Sequence, residues 1–327
     1  MKKYSKILVT GANGLLGTNT IMELLKQGFM VRGFLRNRNN FVGPTHQNLE
    51  LFEGDITKVN HLNEALRDID CVIHTAAITG QHILDYKDYY KVNVEGVENL
   101  VFASIKNKVR RIVYVSTAGQ FGYGTLEDLG NESIEIKQPF KKQFYVKSKK
   151  EAYDFLQTIK NEIDVVTVNP SFMIGAYDSK PSSGKIVLMG IRNRLVFCPP
   201  GGKSFVCVQD VSRGAVNAMI HGNSGESYLL ANENLSFEQF FKRLRKLSKN
   251  NMIIIKIPKL IMISLGYFGD FLRYLKIPIQ LSTANIRLLC VNGFYSNTKA
   301  KNELGVQFSP IENGILDAVH WFSKHRS

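Results

Sequence analysis

The chain has 327 residues, 44% hydrophobic and 21% charged, which fits one large globular domain or two fused ones and excludes a disordered chain, a collagen-like repeat and a disulfide scaffold. Lysine and arginine number 42 against 28 aspartate and glutamate, a formal net charge of +14. Such a field favours an anionic partner: a phosphorylated cofactor, an acidic substrate, a membrane surface or nucleic acid.

The start, Met1-Lys2-Lys3, is basic, but Ile7-Leu8-Val9 is too short for a signal segment and runs straight into glycine. Lys6 to Thr10 reads instead as a buried parallel strand. Gly11-Ala-Asn13-Gly14-Leu15-Leu16-Gly17 follows, then a helical pattern from Thr18 to Lys26 stopped by Gly28. Strand, glycine turn and helix make the phosphate-binding opening of a dinucleotide fold. Gly11 permits the tight turn, Gly14 lets backbone approach a pyrophosphate, and Gly17 lets helix and strand pack closely. The pyrophosphate is then expected on the helix N-terminus, where free N–H groups and the dipole favour anions.

A second strand, Met30 to Leu35, ends in Arg36, with Arg32 and Arg38 nearby. NAD-binding folds commonly carry an acidic residue here, for the ribose hydroxyls. A guanidinium instead suits a 2′-phosphate, so the expected cofactor is NADP, with NAD as the alternative. A third strand is expected over Leu49 to Ile56, with Asp55 at its tip. Asp55 is read two ways: as acceptor for the adenine amino group, or as cap of a helix beginning near Lys58.

Cys71 to Ala77 reads as a fourth strand ending in small residues, with His74 a packed core histidine. Arg110 to Gly119 is a fifth, delivering Ser116 and Thr117 at its carboxyl end, where open α/β sheets bind ligands. Tyr145 and Lys149 lie four apart on one helix face. A free tyrosine, with a pKa near ~10, is a poor acid or base at neutral pH. An adjacent ammonium is expected to lower that value toward the working range.

Beyond Gly175 the βα rhythm fades. Ser179 to Lys185 reads as flexible, and Val206 to Asp210 and Ser227 to Leu230 as short strands. Between Asn234 and Lys276 nine basic residues face two acidic ones, read as solvated helix faces. The apolar stretch Ile253 to Leu275 is read first as a core helix, with a cover over an apolar substrate or a membrane contact as alternatives. Its most apolar part falls short of the ~18 residues a membrane span needs. Cys71, Cys198, Cys207 and Cys290 form no C-x-x-C pair, so reduced thiols and no metal site are expected.

The chain resembles the extended short-chain dehydrogenase/reductase family, which includes nucleotide-sugar epimerases and dehydratases, dihydroflavonol-4-reductase-like enzymes and 3β-hydroxysteroid dehydrogenases. The resemblance rests on Thr10 to Gly17, Gly54-Asp55-Ile56, His74 to Ala77, Asn93 to Leu100, Val115 to Ala118, Tyr145 to Lys149, Asn169 to Gly175, Phe205 to Val211 and Lys299 to Trp321. It implies an α/β fold: a Rossmann doubly wound parallel sheet over residues 1–175, and a smaller C-terminal substrate-binding part over 176–327 that sends segments back to the sheet. By resemblance, Thr117 holds the reacting oxygen, Tyr145 is the acid/base, and Lys149 binds the nicotinamide ribose and tunes Tyr145. Asn93 supports the site from behind. Gly11, Asn13, Gly14, Leu15, Leu16, Gly17, Arg36, Asp55, Ile56, Thr75, Ala76, Ala77, Pro170 and Met173 match cofactor-lining positions. Ser116 competes with Thr117 for the hydroxyl role.

The resulting expectation is a cytoplasmic, NADP-dependent reductase or dehydrogenase of a small carbonyl or secondary alcohol. It is expected to form a homodimer through the helices around Asn93 and Tyr145, with no nucleic-acid partner and no membrane span, peripheral membrane contact being left open. The alternatives are an NAD-dependent nucleotide-sugar epimerase or dehydratase, and a non-catalytic sensor or nucleic-acid-binding relative. Nucleotide-sugar members commonly carry an arginine where this chain has Lys203-Ser204, so Lys203 is left as a point charge for a diphosphate.

Overall fold

The computed structural model describes residues 4–80, 83–277, 279 and 281–325; the basic Met1–Lys3 start lies outside them. The chain opens with β1 (Lys6–Thr10), α1 (Leu15–Lys26), β2 (Met30–Leu35), β3 (Leu49–Glu53), α2 (Val59–Ala65) and β4 (Cys71–His74). It continues with α3 (Tyr86–Asn93), α4 (Glu95–Lys106), β5 (Arg111–Val115), α5 (Phe144–Thr158), β6 (Asp164–Pro170) and β7 (Phe172–Ile174). Then come α6 (Lys185–Arg192), β8 (Leu195–Cys198), β9 (Gly202–Cys207), α7 (Val208–His221), β10 (Ser227–Leu230) and β11 (Glu233–Ser236). The remainder is α8 (Phe237–Ser248), β12 (Ile253–Lys256), α9 (Lys259–Tyr274), α10 (Thr283–Leu289), β13 (Asn292–Gly293), α11 (Thr298–Leu304) and α12 (Ile311–Lys324).

Seven strands form one sheet in the order β10-β6-β5-β4-β1-β2-β3, every pair parallel. Strands β4 and β5 are buried at every position, as a parallel sheet covered on both faces requires. One apolar layer packs α1 and α7 on the sheet through Ile21, Leu24, Val211 and Ala215. The opposite layer packs α2, α4 and α5 through Leu62, Leu100 and Leu156. Two features end α1 as read from sequence. Gly28 takes φ +72°, and N–H groups of Gly28 and Phe29 close on the carbonyls of Leu25 and Leu24.

A second core joins β7, β9, α6, α8 and α12 around Phe205, Phe240, Leu244 and Ile315. Strand β10 leaves this half and returns to the main sheet beside β6. Buried Asp210 fastens the last helix region to α7: its carboxylate accepts the Ser309 N–H at 2.7 Å and the Ser309 hydroxyl at 3.0 Å, and pairs with Arg213.

Four readings of local structure are corrected. The third strand stops at Glu53, before Asp55. The strand read over Val206 to Asp210 is the end of β9 and the first turn of α7, because the apolar run continues unbroken across the junction. The Ser179–Lys185 segment is pinned: the Asp178 carboxylate accepts the Ser182 and Gly184 N–H groups, both at 2.9 Å. Finally, Ile253–Leu275 is not a core helix. It divides into β12 and α9, and α9 buries only Met262, Gly266 and Gly269.

Candidate active site

The strand order reverses between β1 and β4, which opens a crevice at the carboxyl ends of the strands. The glycine turn fills one side of it. Gly11 sits at φ +69°, and a Cβ there would lie 2.8 Å from the Ala76 backbone. A Cβ on Gly17 would run into the Gly11 carbonyl, whereas one on Gly14 would stand 3.3 Å from that oxygen. Gly11 and Gly17 are therefore fixed by packing, while exposed Gly14 stands at the start of α1 with its N–H donating to the Gly11 carbonyl at 2.9 Å. Leu15 and Leu16 are buried in the first turn of α1. Asn13 is half-buried, and its carbonyl accepts the Ser179 hydroxyl at 3.3 Å.

Thr75, Ala76 and Ala77 line the next strand end. The Thr75 hydroxyl donates to the Thr10 carbonyl at 2.7 Å, holding this segment against the turn. Beneath it, buried His74 pairs through Nδ1 with the Thr10 hydroxyl at 2.7 Å. Its ring stacks on Tyr114. Burial, with the Lys149 charge adding to it, drives the His74 pKa down to about 3. His74 is a neutral core histidine, as read from sequence.

At the tip of β2 the three arginines part company. Arg32 turns inward, donating to the Ala65 and Arg67 carbonyls at 2.7 and 3.0 Å and pairing with Glu50. Arg38 pairs with Glu53 at 2.9 Å. Arg36 is exposed and has no ion pair among the described residues. Asp55 lies close enough for its pKa to feel the Arg36 charge. Desolvation opposes ionisation there, but two hydrogen bonds from Thr57 and the Arg36 and Lys58 charges prevail and hold the pKa below the usual value. Both Thr57 bonds, at 2.9 Å, go to one carboxylate oxygen. Asp55 thus braces the turn before α2 rather than capping it; the cap position is Lys58, which makes no side-chain cap bond. Ile56 beside it is buried.

Across the crevice, β5 ends in Ser116 and Thr117. The Ser116 hydroxyl donates to Gln120 at 2.8 Å, and Gln120 donates in turn to Asn169 at 2.6 Å. This buried network occupies Ser116. Thr117 instead lies close enough to Tyr145 to act on its phenol. Burial pushes the Tyr145 phenol up to about 12, with Thr117 pulling the other way. The lowering expected from Lys149 is absent because burial dominates both groups: Lys149 is itself driven down to about 7. Its ammonium lies 4.2 Å from the Tyr114 ring centroid, with no carboxylate paired to it among the described residues.

Asn93 bonds to two segments of the chain. Its amide donates to Ser148 at 2.9 Å and to the Ile78 carbonyl at 3.0 Å, and its oxygen accepts the Ile78 N–H at 2.8 Å. Ser148 donates onward to the Tyr145 carbonyl at 2.8 Å. The chain after β4 is thereby tied to the first turn of α5. Ser148 and Gln120 escaped sequence reasoning; the one signal for Ser148 was its place three residues after Tyr145. Pro170 closes β6, and half-buried Met173 sits in β7. Lys203 donates to the Leu288 carbonyl at 2.9 Å and lies 5.1 Å from the Phe140 ring centroid.

A tight glycine turn, an exposed helix start and small residues at the neighbouring strand end fit the diphosphate of a dinucleotide. Residues 7–231 match the profile of the NAD dependent epimerase/dehydratase family. Over 321 residues the chain is 29% identical to "Sterol demethylase protein B" of Methylococcus capsulatus, covering 96% of this chain and 97% of that one. Over 326 residues it is 27% identical to a "Putative dihydroflavonol 4-reductase" of Synechocystis sp., covering 97% and 94%. The crystal structure of gox2253 superposes with a TM-score of 0.84 at 26% identity, covering 98% of this chain and 99% of that one. With its parallel sheet, its glycine cradle and this match, the chain belongs to the NAD dependent epimerase/dehydratase family and is an NAD(P)-dependent enzyme of the extended short-chain dehydrogenase/reductase type.

Proposed function

We propose that the protein is an NADP-dependent reductase or dehydrogenase acting on a carbonyl or secondary alcohol, with residues 1–175 holding the cofactor and 176–327 mostly the substrate. The observation that carries this reading is the approach of Thr117, just past the end of β5, to Tyr145 in the first turn of α5, with Lys149 buried one turn further along the same helix. The two relatives named above, one called a reductase and one a sterol-processing protein, support a carbonyl or alcohol substrate.

In this reading Gly11, Asn13, Gly14, Leu15, Leu16 and Gly17 cradle the diphosphate, and Arg36 grips the 2′-phosphate. Asp55 and Ile56 border the adenine; Thr75, Ala76, Ala77, Pro170 and Met173 border the nicotinamide half. When bound, the nicotinamide supplies or accepts a hydride. Tyr145, with a pKa near 12, keeps its proton at neutral pH and donates it to the carbonyl oxygen, which Thr117 holds. Lys149, poised near 7, holds the nicotinamide ribose. Asn93, through Ser148, fixes the turn that carries Tyr145. A nucleotide-sugar substrate is less well served, because Lys203 offers a point charge where an arginine would offer a planar fork to a diphosphate.

The test has two parts. Denaturing freshly purified protein should release no NAD, and the emptied protein should prefer NADPH to NADH. Arg36→Asp should then weaken NADPH binding by about 1.5–3 kcal/mol, the worth of a charge-assisted hydrogen bond. Tyr145→Phe should abolish turnover with NADPH affinity nearly unchanged. Released NAD would move the assignment to a cofactor recycled in place on a nucleotide sugar, and turnover retained by Tyr145→Phe would end the mechanism.

A further inference from the structure

Helix α9 is built inside out. An amphipathic surface helix ordinarily buries its large apolar side chains and shows polar ones. Here the buried stripe is Met262, Gly266 and Gly269. A Cβ on Gly266 would lie 2.9 Å from the Thr283 Cα, and one on Gly269 would collide with the Leu281 carbonyl. The helix therefore lies with its backbone hard against the α10 region, and its bulk is turned outward. Leu260 is 76% exposed, Phe268 56%, Phe271 58% and Tyr274 84%.

The chain enters α9 directly from a two-stranded parallel ribbon with the same habit. In the β8–β12 pair, Ile253 lies opposite Leu195 and Ile255 opposite Phe197. All four are exposed, while Val196 and Cys198 between them are buried. This ribbon and α9 with its C-terminal extension hold more than half of the exposed large hydrophobic side chains among the described residues. Scattered exposed apolar residues need no explanation, but a concentration of this kind marks a contact surface.

Charge selects the occupant. From Ile253 to Ile277 the basic residues are Lys256, Lys259, Arg273 and Lys276, and the one acidic residue is Asp270. Asp270 is already engaged, accepting the Thr283 N–H at 3.1 Å. Lys259 and Lys276 flank the helix and are both exposed. On a chain of net charge +14, apolar bulk between lysines matches an anionic bilayer. No helix among the described residues is long and apolar enough to cross a membrane, so the contact is with the surface.

We propose that α9 and the β8–β12 ribbon form a docking face for a lipid bilayer bearing anionic headgroups, with Phe268, Phe271 and Tyr274 entering the acyl boundary and Lys259 and Lys276 at headgroup level. The test of this face does not depend on the catalytic reading.

Flotation of the full-length protein with vesicles decides it. Protein should float with vesicles of phosphatidylcholine and phosphatidylglycerol at roughly 7:3, and far less with pure phosphatidylcholine, because apolar insertion and charge act together. Phe268→Ser/Phe271→Ser/Tyr274→Ser should cut partitioning at least about tenfold. Lys259→Glu/Lys276→Glu should erase the preference for anionic vesicles. Leu316→Ser, at an exposed leucine on α12, should float like the wild type. Matching melting curves would establish that all variants are folded. Wild-type protein that stays at the bottom of the gradient, or a triple variant that floats unchanged, overturns the proposal. If wild type fails to float and the triple variant halves the sedimenting mass, the face joins two copies instead.

Discussion

Burial sets opposite tasks for the titratable side chains around the crevice. It holds the proton on Tyr145 and drives it from Lys149 and His74. For His74 the consequence is a stability dependence whose sign is fixed. An unfolded histidine takes up its proton as pH falls through about 6.5, whereas the folded one waits until about 3. Between those values the unfolded chain binds more protons, so His74 costs the fold about 1.4 kcal/mol for each unit of acidification. Urea midpoints between pH 6 and 4 should fall more steeply for wild type than for His74→Gln; parallel slopes would mean His74 is protonated in the fold. The types and order of Thr117, Tyr145 and Lys149 could be read from the chain, since each stands at a strand end or on a helix turn set by local pattern. What could not be read is that Ser116 is claimed by Gln120, or that Arg32 is drawn inward. Those choices are made by residues distant in sequence: Asn169, Ala65 and Glu50.

Among the elements, strands and glycine turn were legible because a parallel strand covered on both faces must be an apolar run, and because a close-packed turn leaves no room for side chains. The turn makes a graded prediction. Gly17→Ala pushes a methyl against a backbone carbonyl that cannot swing away, so it should cost about 1–3 kcal/mol, the range for overpacking. Gly14→Ala has 3.3 Å to the same atom and an extended backbone at φ −87°, so it should cost clearly less. Denaturation midpoints of the two variants would rank them, and equal losses would contradict the packing described for Gly17. The β9–α7 junction was not legible. Helix α7 begins at Val208 with no side-chain cap, directly behind a strand, so no polar residue marks the change of period. Helix α9 misled for another reason. Its apolar content signals burial by its own chain, whereas its glycines do the packing.

For the molecule as a whole, the expected pairing of two copies has a physical candidate in α4 and α5. Phe102, 58% exposed, meets the Phe155 ring edge-on with centroids 6.0 Å apart, leaving an aromatic pair on the outer layer, away from the crevice. Light scattering should give the mass of two chains for wild type and of one for Phe102→Glu. A monomeric wild type would remove the dimer from the account.

The place of β10 also bears on how the sheet comes into being. Strand β6 can pair with β5 as soon as both are made, but its other edge is completed only by a strand synthesised after the whole β7–α7 excursion. At ribosomal speeds of roughly 5–20 residues per second that edge stays open for on the order of 3–12 s. An unpaired apolar strand edge invites pairing with other chains. The return of β10 therefore makes the middle of synthesis a period of exposure to misassembly for β6, which ends only when β10 takes its place as the edge strand.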